Sequence, residues 1–202
     1  MTARGAAHRG LRFDTVVVAG GRSSRLGGTP KALLPVAGST LLTRTVDAVL
    51  PFGTVVVVGP EDLPLPSHVL RTREEPASSG PAAAVAAGVV ALATIPERLP
   101  WTAVLACDMP DVHRALVELR SAAERAASDV AGLIAVTGEG RRENLVVLAR
   151  TDALPRALEA APTENASLRS VWRRLGPQEV TVPAGSTSDV DTWEDVHRLD
   201  SY

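Results

Sequence analysis

Thr15-Val16-Val17-Val18-Ala19-Gly20-Gly21-Arg22-Ser23-Ser24-Arg25-Leu26-Gly27-Gly28-Thr29-Pro30-Lys31 decides how this chain is read. Thr15–Ala19 is a β-branched run with apolar residues on both faces, the signature of a strand covered by helices above and below. Four glycines follow at once, so the strand gives way to a loop and not to a hairpin. Similar runs recur at Thr54–Val58, Thr102–Ala106, Ala131–Val136 and Leu145–Ala149. Between and after them lie helix-length segments at Leu41–Leu50, Pro81–Ala93, Val112–Ala127, Thr151–Ala160, Ser167–Leu175 and Thr192–Leu199. Pro81 suits a first helical position, Asp111 is placed to cap the helix from Val112, and Thr192 with Asp195 forms a capping pattern. Strands alternating with helices predict an α/β fold: a three-layer α/β/α, Rossmann-like domain around a mostly parallel sheet.

The chain has 202 residues, 45% of them hydrophobic and 22% charged, with a formal net charge of −2. That is enough to bury a core and too apolar for a disordered chain. No internal repeat or long linker divides it, so residues 13–202 read as a single domain behind a disordered tail at 1–12. The near-neutral balance argues against a nucleic-acid or membrane surface. The apolar stretch Ala82–Ile95 is shorter than the roughly 20 residues a spanning helix needs, and reads as a buried alanine-rich helix. No signal peptide is visible, and a lone cysteine, Cys107, cannot form an internal disulfide; a reducing cytoplasm is the expected location. His8, His68, His113 and His197 show no metal-ligand spacing.

In an open α/β sheet, ligands collect at the carboxyl ends of strands. The glycines after Ala19 let backbone N–H groups approach an anion, and Arg22, Arg25 and Lys31 add cations around the same loop. Together they suit a polyphosphate. The loop fits neither the P-loop nor the dinucleotide fingerprint. A second signal is Ala106-Cys107-Asp108-Met109-Pro110, where Asp108 follows a buried strand into the expected crevice. It can share a hard cation such as Mg²⁺ with phosphate oxygens; the alternative is an ordinary turn aspartate. Cys107, with no histidine near it in sequence, reads as a small buried hydrophobe. Trp101 and Trp172 read as packing residues.

Val16–Leu42, VVVAGGRSSRLGGTPKALLPVAGSTLL, resembles the opening motif of the molybdenum cofactor guanylyltransferases, LAGG-x-S-x-R-M-G-G-x-D-K-x-L-L, and CDMP is a form their metal motif takes. The resemblance covers about residues 14 to 200. It implies that Ala19, Gly20 and Gly21 wrap a nucleotide while Arg25 and Lys31 hold its triphosphate, with Arg25, Lys31 and Asp108 as the catalytic set. Asp189-Val190-Asp191-Thr192-Trp193-Glu194-Asp195 resembles the family's closing motif, which implies that Asp191 joins Asp108 at the metal. Gly80-Pro81 resembles the GPLAG element that closes over the base, and implies that Glu75 meets guanine; Glu74 is an equally good geometric choice. Arg141 and Arg142 fall where the family meets its acceptor, or form a solvated hairpin rim.

The resemblance thus implies an Mg²⁺-dependent nucleotidyltransferase that moves GMP from GTP to the phosphate of molybdenum-bound molybdopterin. Its partners would be GTP and the phosphorylated pterin, with transient contacts to proteins that deliver or accept the cofactor. Pro30 stands where that family carries an acid, and Thr29–Val36 is similar to sugar-1-phosphate nucleotidyltransferases. Cytidylyl transfer to the same pterin, guanylyl transfer to phospholactate, a sugar-1-phosphate reaction and a nucleotide-binding protein without turnover therefore stay open. Residues 1–31 hold six Lys or Arg against one acid, and residues 189–202 hold five acids against one Arg. The small net charge averages a cationic loop and an acidic end.

Overall fold

The computed structural model describes residues 10–20, 30–159 and 167–200, the side chains of 197–200 excepted. In chain order the elements are β1 (Asp14–Val18), a 3-10 turn (Lys31–Leu33), β2 (Pro35–Val36), β3 (Ser39–Thr40), α1 (Leu41–Val49), β4 (Val55–Val58), β5 (Leu70–Thr72), α2 (Pro81–Leu92), β6 (Trp101–Ala106), α3 (Val112–Arg125), β7 (Gly132–Val136), β8 (Arg142–Arg150), α4 (Ala153–Glu159), α5 (Leu168–Leu175), β9 (Gln178–Thr181) and α6 (Trp193–Asp200). The main sheet has seven strands in the order β5-β4-β1-β6-β8-β7-β9. Every strand runs parallel to β1 except β8, which pairs antiparallel with β6 and β7. The fold is the expected α/β one with a mostly parallel sheet.

Alternation along the strands divides the core into two layers. Val17, Val55, Val57, Ala103 and Leu105 pack under α1 and α3 on one face. Val16, Val18, Val56, Val58 and Val104 pack under α2, α4 and α5 on the other. α3 buries Val112, Ala115, Leu116, Leu119 and Ala123, a stripe at helical spacing. α2 begins with Pro81 in its first turn and lies close to the sheet; a Cβ on Gly88 would stand 2.4 Å from Val16 Cγ1. Glycine there is a packing requirement.

Several expectations shift. β5 and β9 are edge strands with mostly exposed residues and no strand pattern in the sequence. Lys31–Leu33 form a 3-10 turn, followed by the two residues of β2, which pair with β3 as a separate hairpin. Asp111 takes the N-cap position of α3, but its side chain makes no capping hydrogen bond and its carboxylate lies 4.0 Å from Arg44. The Thr192–Asp195 pair does cap α6, with Asp195 N donating to Thr192 Oγ1 at 3.2 Å and Thr192 N donating to Asp195 Oδ2 at 2.9 Å. Of the expected tail, residues 10–12 are tied down: Leu11 N donates to Glu124 Oε1 at 2.8 Å. Residues 1–9 lie outside the described residues. No described helix is long and apolar enough to cross a membrane.

Candidate functional site

The strand order places a crevice between β1 and β6. From β1 the chain moves outward to β4 and β5, then returns to the other side of β1 as β6, so β1 and β6 connect to opposite flanks of the sheet. Register Val18↔Ala106 sets those ends side by side. Ala19 N still donates to Val58 O at 2.8 Å and Cys107 N to Val18 O at 3.2 Å, so both loops leave the sheet level with one another. Ala19 is buried and Gly20 exposed at this rim. Gly21 and Arg25 lie outside the described residues.

Lys31 returns to the crevice on the 3-10 turn. Its Nζ donates to Asp108 Oδ2 at 3.3 Å and also to Asp191 Oδ1. Three residues far apart in sequence therefore share one point. Two devices hold them there. Val190 N donates to the Asp108 carbonyl at 3.0 Å, drawing the acidic segment alongside β6. Beneath, Leu34, Val36, Leu41, Val190 and Val196 form a small apolar cluster that joins the Lys31 turn to α6. Asp195 Oδ2 accepts from Asp191 N at 3.1 Å, so the α6 cap also fixes the backbone that carries Asp191.

The electrostatics are those of an incompletely compensated site. Burial pushes the Asp108 carboxyl above the ordinary aspartate value; the Lys31 ammonium pulls it down, and the charge of Asp189 pushes it up again. For Lys31, burial opposes the charge, but the hydrogen bond to Asp191 and the nearby Asp108 carboxylate outweigh it and hold the ammonium above its ordinary value. Burial pushes the Cys107 thiol up to about 12, so it is no nucleophile, in keeping with its reading as a buried hydrophobe. Among the described residues no group of three or more His, Cys, Asp or Glu is set to hold a metal. Two carboxylates converging on one cation nevertheless fit a hard divalent ion that takes its remaining ligands from substrate oxygens and water.

The loop after β5 reaches the same edge. Glu74 is buried and accepts from Ser78 N at 3.0 Å, so its carboxylate is engaged within the loop. Glu75 is exposed. The structure thereby separates two residues that sequence treats alike. Gly80 opens α2 at φ 95°, a conformation that favours glycine. Arg141 and Arg142 are ion-paired, Arg141 to Glu143 at 2.9 Å and Arg142 to Glu179 at 2.7 Å.

The sequence gives no prominence to Glu143, a buried carboxylate ion-paired with Arg141 at 2.9 Å whose pKa is raised by burial. Its only signal is an acid adjoining an apolar strand. Trp101 and Trp172 are buried, as expected for packing residues.

A family described as MobA-like NTP transferase domain matches residues 15–180. A molybdenum cofactor guanylyltransferase from Cupriavidus necator is 31% identical over 133 residues, 63% of this chain and 64% of that protein. A bifunctional enzyme IspD/IspF from Paracoccus denitrificans is 29% identical over 194 residues, 89% of this chain and 47% of that protein. The chain thus spans less than two thirds of each of these relatives. Among solved structures, Rv0371c from Mycobacterium tuberculosis superposes with a TM-score of 0.70 at 23% identity, covering 96% of this chain and 99% of that one. The same protein has also been solved in complex with manganese.

Proposed function

The chain belongs to the MobA-like NTP transferase family, and from that premise we propose that it moves GMP from GTP to the phosphate of molybdenum-bound molybdopterin, releasing pyrophosphate. The observation that carries this reading is the meeting of Lys31, Asp108 and Asp191 at the mouth of the crevice. Nucleotidyl transfer needs a cation beside the triphosphate and carboxylates that can share a divalent ion with it.

Each residue then has a task. The backbone of Ala19 and Gly20 lies along the phosphates, and Gly21 is assigned the same task. Lys31, together with Arg25, offsets the charge that builds on the α-phosphate and on departing pyrophosphate. Asp108 and Asp191 would hold Mg²⁺, and a divalent ion there supplies further neutralisation of the phosphates. Glu75, exposed where Glu74 is engaged, presents two oxygens that suit guanine N1–H and N2–H. Gly80 lets α2 begin close to the base. The acceptor phosphate is already an anion, so no side chain has to remove a proton. Positioning and charge supply the acceleration.

A second reading has its own support: the IspD/IspF match runs over most of this chain, and a 2-C-methyl-D-erythritol 4-phosphate cytidylyltransferase from Thermus thermophilus shares the fold with a TM-score of 0.64, which together favour cytidylyl transfer to a small phosphorylated alcohol. Thermal-shift titration with GTP, CTP, ATP and UTP, each with Mg²⁺, separates the two. The largest shift is expected with GTP, and a clear preference for CTP overturns the guanylyl reading. Pyrophosphate release from GTP with molybdenum-bound molybdopterin then tests the acceptor.

A further inference from the structure

On the α5 side of the sheet lies a cavity of about 490 Å³ bordered by Arg141, Arg142, Asn144, Arg169, Trp172 and Arg173. That volume falls in the range of small-molecule sites, roughly 300–1,000 Å³. Its position follows from the topology. β8 runs antiparallel to β6 with Leu105 opposite Val146, so Arg142 and Asn144, at the start of β8, lie along the edge where Asp108 emerges. Trp172 is buried, and its Nε1 donates to the Asn144 carbonyl at 2.8 Å, which ties α5 to β8.

The arginines are not equivalent. Arg141 and Arg142 have carboxylate partners. Arg169 and Arg173 are exposed, and among the described residues neither is ion-paired. They stand four apart on α5, where like charges repel. Arg169 also sits in the first helical turn, where the backbone dipole disfavours a cation. Local structure gives no reason for a guanidinium at that position. Two guanidiniums without an acidic partner among the described residues, facing one cavity, match the charge and the forked oxygen geometry of a phosphate dianion.

We propose that this cavity is a phosphate-binding site, with Arg169 and Arg173 as its principal donors and Arg142 at its rim, and that it takes the phosphoryl end of a phosphomonoester acceptor. The second part rests on the nucleotidyl-transfer reading; the first does not. Asn144 and the paired rim arginines give the site polar walls, and the shared sheet edge puts an acceptor held there at the same end of the strands as the nucleotide crevice.

The test uses inorganic phosphate as the probe, titrated calorimetrically into the wild-type protein, Lys31→Ala and the double variant Arg169→Gln/Arg173→Gln. Both arginines are exposed, and unchanged melting temperature and circular dichroism show that the double variant folds. A tenfold or greater loss of phosphate affinity in the double variant is expected, with tight phosphate binding persisting in Lys31→Ala. Unchanged affinity in the double variant overturns the site. These titrations contain no nucleotide, so they stand whichever base the enzyme prefers. Steady-state kinetics then test the acceptor: phosphate should inhibit competitively against acceptor, and the double variant should raise acceptor KM tenfold while leaving GTP KM in place. Inhibition that is not competitive with acceptor overturns the acceptor assignment.

Discussion

At the amino edge of the sheet, Asp14 opens β1 with 1% of its surface exposed. Its carboxylate accepts from Thr54 N, Leu99 N and Arg98 Nε, each at 3.1 Å. At the carboxyl edge of the neighbouring strand, Asp108 follows β6 with its side chain 23% exposed, held by a shared ammonium and pushed upward by burial and by Asp189. The first carboxylate is saturated by groups whose own positions it determines: two loop amides and a guanidinium that joins strand to loop. The second is partly open to solvent and shares its cation with another carboxylate that has converged on it. A buried charge built for stability is closed on all sides. A buried charge built for binding remains open to an incoming group, and the fold carries the cost of its desolvation.

Substitution should separate the two edges cleanly. On the proposed reading, Asp108→Ala is expected to lower turnover on the order of 10³-fold, since it removes a charge beside the reacting phosphates, while the melting temperature does not fall. Wild-type turnover would remove Asp108 from the site, and a large loss of stability would make it a structural residue like Asp14. Asp14→Ala should do the reverse, costing about 3 kcal/mol of unfolding free energy because Arg98 and two amides lose their partner. Its folded fraction should keep normal turnover, measured as specific activity corrected by denaturant titration. Lys31→Ala lies between, with GTP affinity expected to fall about tenfold or more and stability little changed.

The two edges also differ in how far they could be read beforehand. The strands β1, β4 and β6 are legible because burial on both faces forces runs of valine, leucine and alanine. β5 and β9 are not, because Leu70-Arg71-Thr72 and Gln178-Glu179-Val180-Thr181 become strands only by pairing with β4 and β7. The antiparallel sense of β8 is likewise a tertiary fact. Asp108 stands out because it follows an obvious strand with a charge, and Lys31 because it closes a glycine-rich loop. Asp14 carries no such mark: an acid before a valine run looks like a solvated strand start, and its three donors come from residues 40 and more positions away. Arg169 and Arg173 are hidden for the opposite reason. In a sequence, charges four apart on an amphipathic helix read as a solvated face, and only the cavity against Asn144 shows that they converge.

The asymmetry has a pH signature. Asp108 has a folded pKa above its ordinary 3.8, so its ionised form disfavours folding. That penalty is fully present above the raised value and is relieved as pH falls through it toward 3.8. Asp108→Asn should therefore unfold at a higher temperature than wild type near neutral pH, with the advantage shrinking to nothing on acidification. An advantage that is absent at neutral pH, or that grows in acid, would mean that the carboxylate is as well compensated as Asp14.

The smallest expected effect tests whether the carboxyl edge is held from behind. Asp195 Oδ2 accepts from Thr192 N and Thr192 Oγ1 at 2.9 and 2.8 Å, and from Asp191 N at 3.1 Å. One carboxylate thus closes the α6 cap and fixes the backbone of a site residue. Thr192→Ala removes the hydroxyl half of the cap and should cost about 1 kcal/mol of stability. If the cap also serves the site, the Mg²⁺ concentration for half-maximal turnover should rise severalfold, and Thr192→Ser, which keeps the hydroxyl, should restore it. A lower melting temperature with an unchanged Mg²⁺ requirement would assign the cap to the helix alone. Asp191 would then be positioned by the Val190–Asp108 backbone bond and the apolar cluster beneath it.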